Sequence, residues 1–153
     1  QLGKGTQFTL NLPYFEQTVA DIAAPIEQRN ADNQLSGIRI WLLDNDENVL
    51  SALSQVLKNW GCQIDTARNE SELRELTQQG EADILIADYQ LDDGVTGLEV
   101  IEALELSDMA IMINTANHDE AIRERVSDCG YPLLYKPLKT PALKRMLKRL
   151  KPK

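Results

Sequence analysis

The stretch Asp83-Ile84-Leu85-Ile86-Ala87-Asp88, followed by Tyr89-Gln90-Leu91-Asp92-Asp93-Gly94, decides the fold. A run of four apolar residues, short and uninterrupted, suits a strand buried on both faces, as in a parallel sheet. The run stops abruptly on Asp88, and loop residues follow. A carboxylate at the C-terminal end of a buried parallel strand stands where open α/β sheets place their chemistry.

Outward from this strand the chain alternates regularly. Residues 38–43 read as a first strand ending on Asp44-Asn45-Asp46. Val49, Leu50, Leu53, Val56, Leu57 and Trp60 then recur at helical spacing, and Gly61 marks the stop. Residues 62–67 form a second strand. Asn69 and Glu72 are spaced as a capping box for a helix carrying Leu73 and Leu76, closed by Gly80. The strand ending in Asp88 is the third. A helix from about Gly97 carries Leu98, Val100, Ile101 and Leu104. Residues 110–114 are a fourth strand, ending at Thr115, and a helix over 120–128 stops at Gly130. Residues 133–135 are a short fifth strand, followed by Lys136-Pro137. Thr140 reads as the cap of a last helix with Pro141 at its first position, burying Leu143, Met146, Leu147 and Leu150. Strictly alternating βα units imply a doubly wound α/β fold: a parallel sheet with helices on both faces.

Composition sets the outer limits. The 153 residues suffice for one domain with a proper core. A net charge of −8 argues against a nucleic-acid binder, because phosphate contacts need a basic surface. The basic residues Lys144, Arg145, Lys148, Arg149, Lys151 and Lys153 read as a solvated helix face near a helix C-terminus. Cys62 and Cys129 form no CxxC pair and read as reduced thiols of a cytoplasmic protein. A single histidine, His118, rules out a His-based metal cluster. No apolar run reaches membrane-spanning length. The opening on Gln1 suggests a piece of a longer protein, in which there is room upstream for a membrane segment.

The strand ends collect Asp44, Asn45 and Asp46 from the first strand, Asp88 from the third, Thr115 from the fourth and Lys136 from the fifth. They converge if the sheet order is 2-1-3-4-5. Two carboxylates about 4 Å apart repel by roughly 4 kcal/mol at an effective dielectric near 20, so clustered acids call for a cation. Hard oxygen ligands suit Mg²⁺, which keeps waters and shares phosphoryl groups. A Thr115 hydroxyl and a Lys136 ammonium would complete a site for phosphoryl oxygens, with Asp88 as nucleophile forming an aspartyl phosphate. Asp46 reads as a helix-start residue, favourable at the positive end of the dipole.

These residues, in this order and one per strand end, resemble the receiver domain of two-component response regulators over 38–153. The resemblance implies a flavodoxin-like five-stranded sheet and a cis Lys136-Pro137 bond. It implies phosphoryl transfer from a phosphohistidine to Asp88, with Thr115 and Lys136 assisting. Mg²⁺ or Mn²⁺ would be held by Asp44, Asn45, Asp88 and the backbone carbonyl of Gln90. Gln90 and Asn117, two positions beyond the acceptor and the threonine, would tune hydrolysis of the acyl phosphate. The partner would be a histidine kinase core or a histidine phosphotransfer domain, with a homodimer as a further option and no membrane contact. The runner-up reading is a pseudo-receiver that docks without being phosphorylated; a small flavin carrier would want a hydroxyl- and glycine-rich loop in place of Asp44-Asn45-Asp46.

The chain departs from the family pattern in four places. Asn45 replaces the usual second acid, which leaves Asp44 and Asp88 as the only repelling pair and weakens the pull on a cation. The loop after Asp88 is one residue longer than the common form, with Asp92 where proline is typical. Leu133 occupies the position of the switch aromatic, and Asn114 that of an apolar residue. Upstream, Gly3-Lys4-Gly5-Thr6-x-Phe8-x-Leu10-x-Leu12-Pro13 resembles the last glycine box and final strand of a sensor histidine kinase ATPase domain. Residues 1–14 would be that remnant, without ATP binding, and 15–37 a linker. Together the two resemblances imply the C-terminal receiver of a hybrid sensor histidine kinase.

Overall fold

The chain divides into two units, Gln1–Ala31 and Asp32–Lys153. The computed structural model describes residues 34–152, within the second. The ATPase-like strand and most of the expected linker lie outside the described residues.

Among the described residues five strands alternate with five α-helices, with a 3₁₀ turn at Asp92–Gly94. They are β1 (Arg39–Leu43), α1 (Glu47–Lys58), β2 (Gln63–Ala67), α2 (Glu70–Gln79), β3 (Ile84–Asp88), α3 (Gly97–Ala103), β4 (Ala110–Thr115), α4 (Glu120–Asp128), β5 (Leu133–Tyr135) and α5 (Thr140–Leu150). The strands form one parallel sheet in the order β2-β1-β3-β4-β5, as the sequence implies. All five residues of β3 are buried, which accounts for its unbroken apolar run.

Strand alternation sorts the core into two layers. Trp41, Leu43, Leu85, Ala87, Ile111 and Ile113 face one side and pack with Leu73 of α2, Val100 and Ile101 of α3, and Ile122 and Val126 of α4. Ile40, Leu42, Ile84, Ile86 and Met112 face the other and pack with Leu50 and Leu57 of α1 and Leu143 and Leu147 of α5. Each central strand is thus covered on both faces, and Asp44, Asp88 and Thr115 stand at or just beyond the carboxyl ends.

Some local expectations change. Asn69 does cap α2, accepting from Glu72 N at 3.0 Å, but Glu72 reaches past it to Arg68 N and the Arg68 guanidinium, so the reciprocal half of the box is displaced by one residue. A reciprocal box forms instead at Thr96 and Glu99, at the start of α3. Thr140 is the first residue of α5 rather than its cap. Lys139 is the cap, with no side-chain bond because an ammonium has no acceptor to offer, and Pro141 in the first turn removes one orphan N–H.

The end of the stretch read as a linker, from Gln34, lies among the described residues. Leu35 is fully buried, packed with Ile38, Ile40, Leu57 and Cys62 under the α1/α5 layer. Gly37 N donates to Gly61 O at 2.9 Å, and Cys62 Sγ contacts Leu35 O at 3.4 Å. A single leucine among polar neighbours shows no period, so the sequence carries no signal for it. Leu35→Ala is expected to destabilise by about 2–5 kcal/mol and to lower the melting temperature by roughly 10 °C or more. A chain beginning at Gly37 should lose as much, whereas one beginning at Asp32 should melt with the parent. Equal melting of all three would return Leu35 to the linker.

Candidate functional site

The alternation that buries Leu42 and Ile86 toward α1 and α5 places Asp44 and Asp88, two residues further on, on that same side at the carboxyl edge. Leu43 is in register with Ala87, so the two acids are neighbours across adjacent strands. Both are buried, at 4% and 6% exposure. Lys136 leaves the end of β5, where its backbone N donates to Thr115 O at 2.8 Å. Its Nζ donates to Asp44 Oδ2 at 2.7 Å and to Asp88 Oδ2 at 2.6 Å. The repulsion expected between the two acids is therefore offset by a cation the chain itself supplies. The Lys136-Pro137 bond that follows is cis, as the resemblance implies.

Burial is the main influence on Asp88 and raises its pKa. The hydrogen bond and charge of Lys136 pull the other way without cancelling it, and the Asp44 carboxylate adds to the rise. For Lys136, burial works against the ammonium, but the hydrogen bonds to Asp44 and Asp88 and their charges outweigh it, and its pKa is raised. Lys136 is thus a firmly held cation beside a carboxylate whose ionised form is disfavoured.

The remaining expected residues surround this triad. Asp46 is exposed and caps α1, accepting from Asn48 N at 2.8 Å; that bond holds its carboxyl below the usual range, in keeping with a helix-start role. Asp46 N donates to Asp44 Oδ1 at 3.0 Å. Asn45 does not join the triad: its Nδ2 donates to Asp92 Oδ1 at 2.6 Å. Gln90 is exposed, and its backbone N makes a long 3.4 Å bond to Asp88 Oδ1. Thr115 is fully buried at the end of β4, and its Oγ1 accepts from Asn117 N at 3.1 Å, which leaves the hydroxyl proton for another acceptor. Asn117 Oδ1 accepts from Asp119 N at 2.9 Å, so the amide expected to face the phosphoryl also steadies the start of α4.

Two features were missed or only half seen in the sequence. A Cβ on Gly97 would lie 2.1 Å from Asp88 O, so only glycine lets α3 begin against the backbone of Asp88. The glycine is visible in sequence, but the close approach it permits is a tertiary fact. Asn114 is buried in register with Asp88, and its Oδ1 has no hydrogen-bond partner. Leu133 is partly buried against the core, and the aromatic contact nearby is instead Tyr135 stacked on His118 with ring centroids 4.4 Å apart.

The donor set is two carboxylates, an amide and backbone carbonyls, all hard oxygen ligands of the kind Mg²⁺ takes with retained waters. These residues fit such an ion, although among the described residues no three acids, histidines or cysteines cluster, in keeping with the neutral Asn45. No helix among the described residues is long and apolar enough to cross a membrane.

The fold recurs in solved structures. The chemotaxis protein CheY4 of Vibrio cholerae superposes with a TM-score of 0.67 at 20% identity, covering 75% of this chain and 99% of that one. A receiver domain protein of Methanospirillum hungatei gives 0.66 at 20%, over 75% and 94%. A response regulator receiver protein of Burkholderia phymatum gives 0.64 at 24%, over 74% and 94%. At these identities the likeness is one of fold. No curated protein matches the chain. The family model of the response regulator receiver domain matches residues 40–148, a span that takes in Asp44, Asp88, Thr115 and Lys136, and the chain belongs to that family.

Proposed function

We propose that this domain is an active phosphorelay receiver that takes a phosphoryl group from a phosphohistidine onto Asp88. The observation that carries the reading is the single ammonium of Lys136 held between the buried carboxylates of Asp44 and Asp88. In the transfer, a carboxylate oxygen of Asp88 forms the O–P bond as the N–P bond to the donor imidazole breaks, and the imidazole nitrogen keeps the electron pair. Lys136 and the Thr115 hydroxyl supply a positive charge and a proton donor for the phosphoryl oxygens. Asp44, Asp88, the Asn45 carbonyl and the Gln90 backbone carbonyl would hold Mg²⁺ or Mn²⁺. That ion supplies neutralisation of the charge on the transferring group.

The donor is a histidine kinase core or a histidine phosphotransfer domain. Beside Lys136 runs an apolar surface of Val49, Leu53 and Val56 on α1 with Pro137 and Leu138, which supports docking of a helical partner at the acceptor. The ATPase-like stretch at residues 3–13 supports a place at the end of a hybrid sensor kinase in the cytoplasm.

Treatment with acetyl phosphate and Mg²⁺ is expected to add one phosphoryl mass, lost on chelation of the metal and in Asp88→Asn. A shift surviving in Asp88→Asn would sink the acceptor assignment. No shift in the parent would leave an unphosphorylated docking module.

Because the pKa of Asp88 is raised on folding, its favourable contribution is complete below its unfolded value of 3.8 and is lost as pH rises through the folded value. Asp88→Asn is therefore expected to melt above the parent at pH 7, with the gap narrowing toward pH 4. A lower melting temperature at pH 7 would show that the Lys136 bond outweighs the burial.

Gln90 and Asn117 carry amides that orient a water without deprotonating it. Replacing either by alanine should change the decay rate of the phosphorylated chain while leaving phosphorylation intact. Unchanged decay in both variants would remove them from the hydrolysis step.

A further inference from the structure

Asn45 and Asp92 are 47 residues apart in the chain and joined by a 2.6 Å hydrogen bond. A carboxylate only accepts, so the contact settles which end of the amide faces Asp92: it is Nδ2. Oδ1, the one atom of this side chain able to ligate a hard cation, is left free by the same bond. Without Asp92 the amide is free to rotate, and half of its orientations present N–H groups that repel a cation.

The loop that carries Asp92 is well braced. Leu91 N donates to Val95 O at 2.9 Å, Val95 N donates to Asp92 O at 3.1 Å, and Gln90 bridges Thr96. Thr96 in turn caps α3 in a reciprocal box with Glu99. Asp93 and Gly94 follow with φ of +57° and +77°, two left-handed residues in succession that reverse the chain at the loop tip. Asp tolerates that region better than most residues. The acid that stands where proline is typical and the amide that stands in place of an acid thus meet in one contact. The negative charge missing at position 45 stands one hydrogen bond further out.

We propose that Asp92 is a positioning residue of the cation site: it holds the Asn45 amide so that Oδ1 serves as a ligand beside Asp44. The inference rests on the functional reading above, and its test reads metal binding rather than phosphorylation. Mn²⁺ alone is titrated into the full chain, and the free ion is followed by electron paramagnetic resonance, with thermal melts of each variant alongside. Outer-sphere partners of metal ligands are typically worth 10–100-fold in affinity. Asp92→Ala is expected to weaken binding about tenfold. Asp92→Asn keeps an oxygen acceptor for Nδ2 and should stay within about threefold of the parent, a difference that a purely electrostatic role would not produce. Asp92→Ala added to Asn45→Ala should cost nothing further, because Asp92 acts through Asn45. Asp92→Ala binding like the parent, Asp92→Asn binding as weakly as Asp92→Ala, or additive losses in the double variant would each overturn the proposal. A parent chain that binds no Mn²⁺ overturns the functional reading together with it, a result distinct from all three.

Discussion

The carboxyl edge of this sheet depends on one ammonium. Asp44 and Asp88 are buried side by side at the ends of β1 and β3, and a buried pair of acids needs a cation within hydrogen-bond reach. Lys136 supplies it from the end of β5, two strands from β3. A lysine side chain spans that distance, and the backbone bond from Lys136 N to Thr115 O sets where it starts. The 2-1-3-4-5 order is therefore more than a topology: it brings the acids together and lays β4 between them and their counter-ion. Any partner that draws Lys136 away must bring its own means of neutralising the pair. A metal ion and a phosphoryl group together meet that condition.

Most of this was legible in the chain because the relevant signals are local. The apolar run of β3, the 3.6-residue spacing in α1 and α5 and the stops at Gly61 and Gly130 each depend on neighbours within a turn or two. The acids at the strand ends could be placed because a parallel sheet fixes where its strand ends lie. What escaped were contacts between segments distant in sequence. Leu35 lies in a polar stretch and is apolar only once, so nothing marks it as core until β1 and α1 close over it. Gly97 is one glycine among eight until α3 is seen to begin against Asp88 O. The Asn45–Asp92 bond joins two departures from the family pattern that read as independent oddities in the sequence.

That pairing alters how the acidic turn is understood. Counting charges along the chain, replacing an acid by Asn45 leaves a weaker and less strained site. Counting them in space, Asp92 returns a negative charge nearby, and Lys136 has already offset the Asp44–Asp88 pair. An acid at position 45 in this chain would meet the Asp92 carboxylate at the place where the amide now donates. The two positions are joined by one hydrogen bond, and position 45 is read together with Asp92 rather than alone.

Asn114 shows the same edge from below. It sits on β4 opposite Asp88, almost without solvent, and its Oδ1 finds no partner. An unsatisfied buried acceptor costs about 1–3 kcal/mol, where an aliphatic residue in this strand would cost nothing. Asp88 adds to the deficit, because burial disfavours its ionised form even with Lys136 in contact. Both penalties fall at the carboxyl end of the two central strands, while the layers beneath are closely packed and apolar. Departures from local rules of this kind mark places where a fold gives up stability for another requirement. The stability of the two apolar layers is what allows a buried carboxylate and an unpaired amide oxygen to persist side by side.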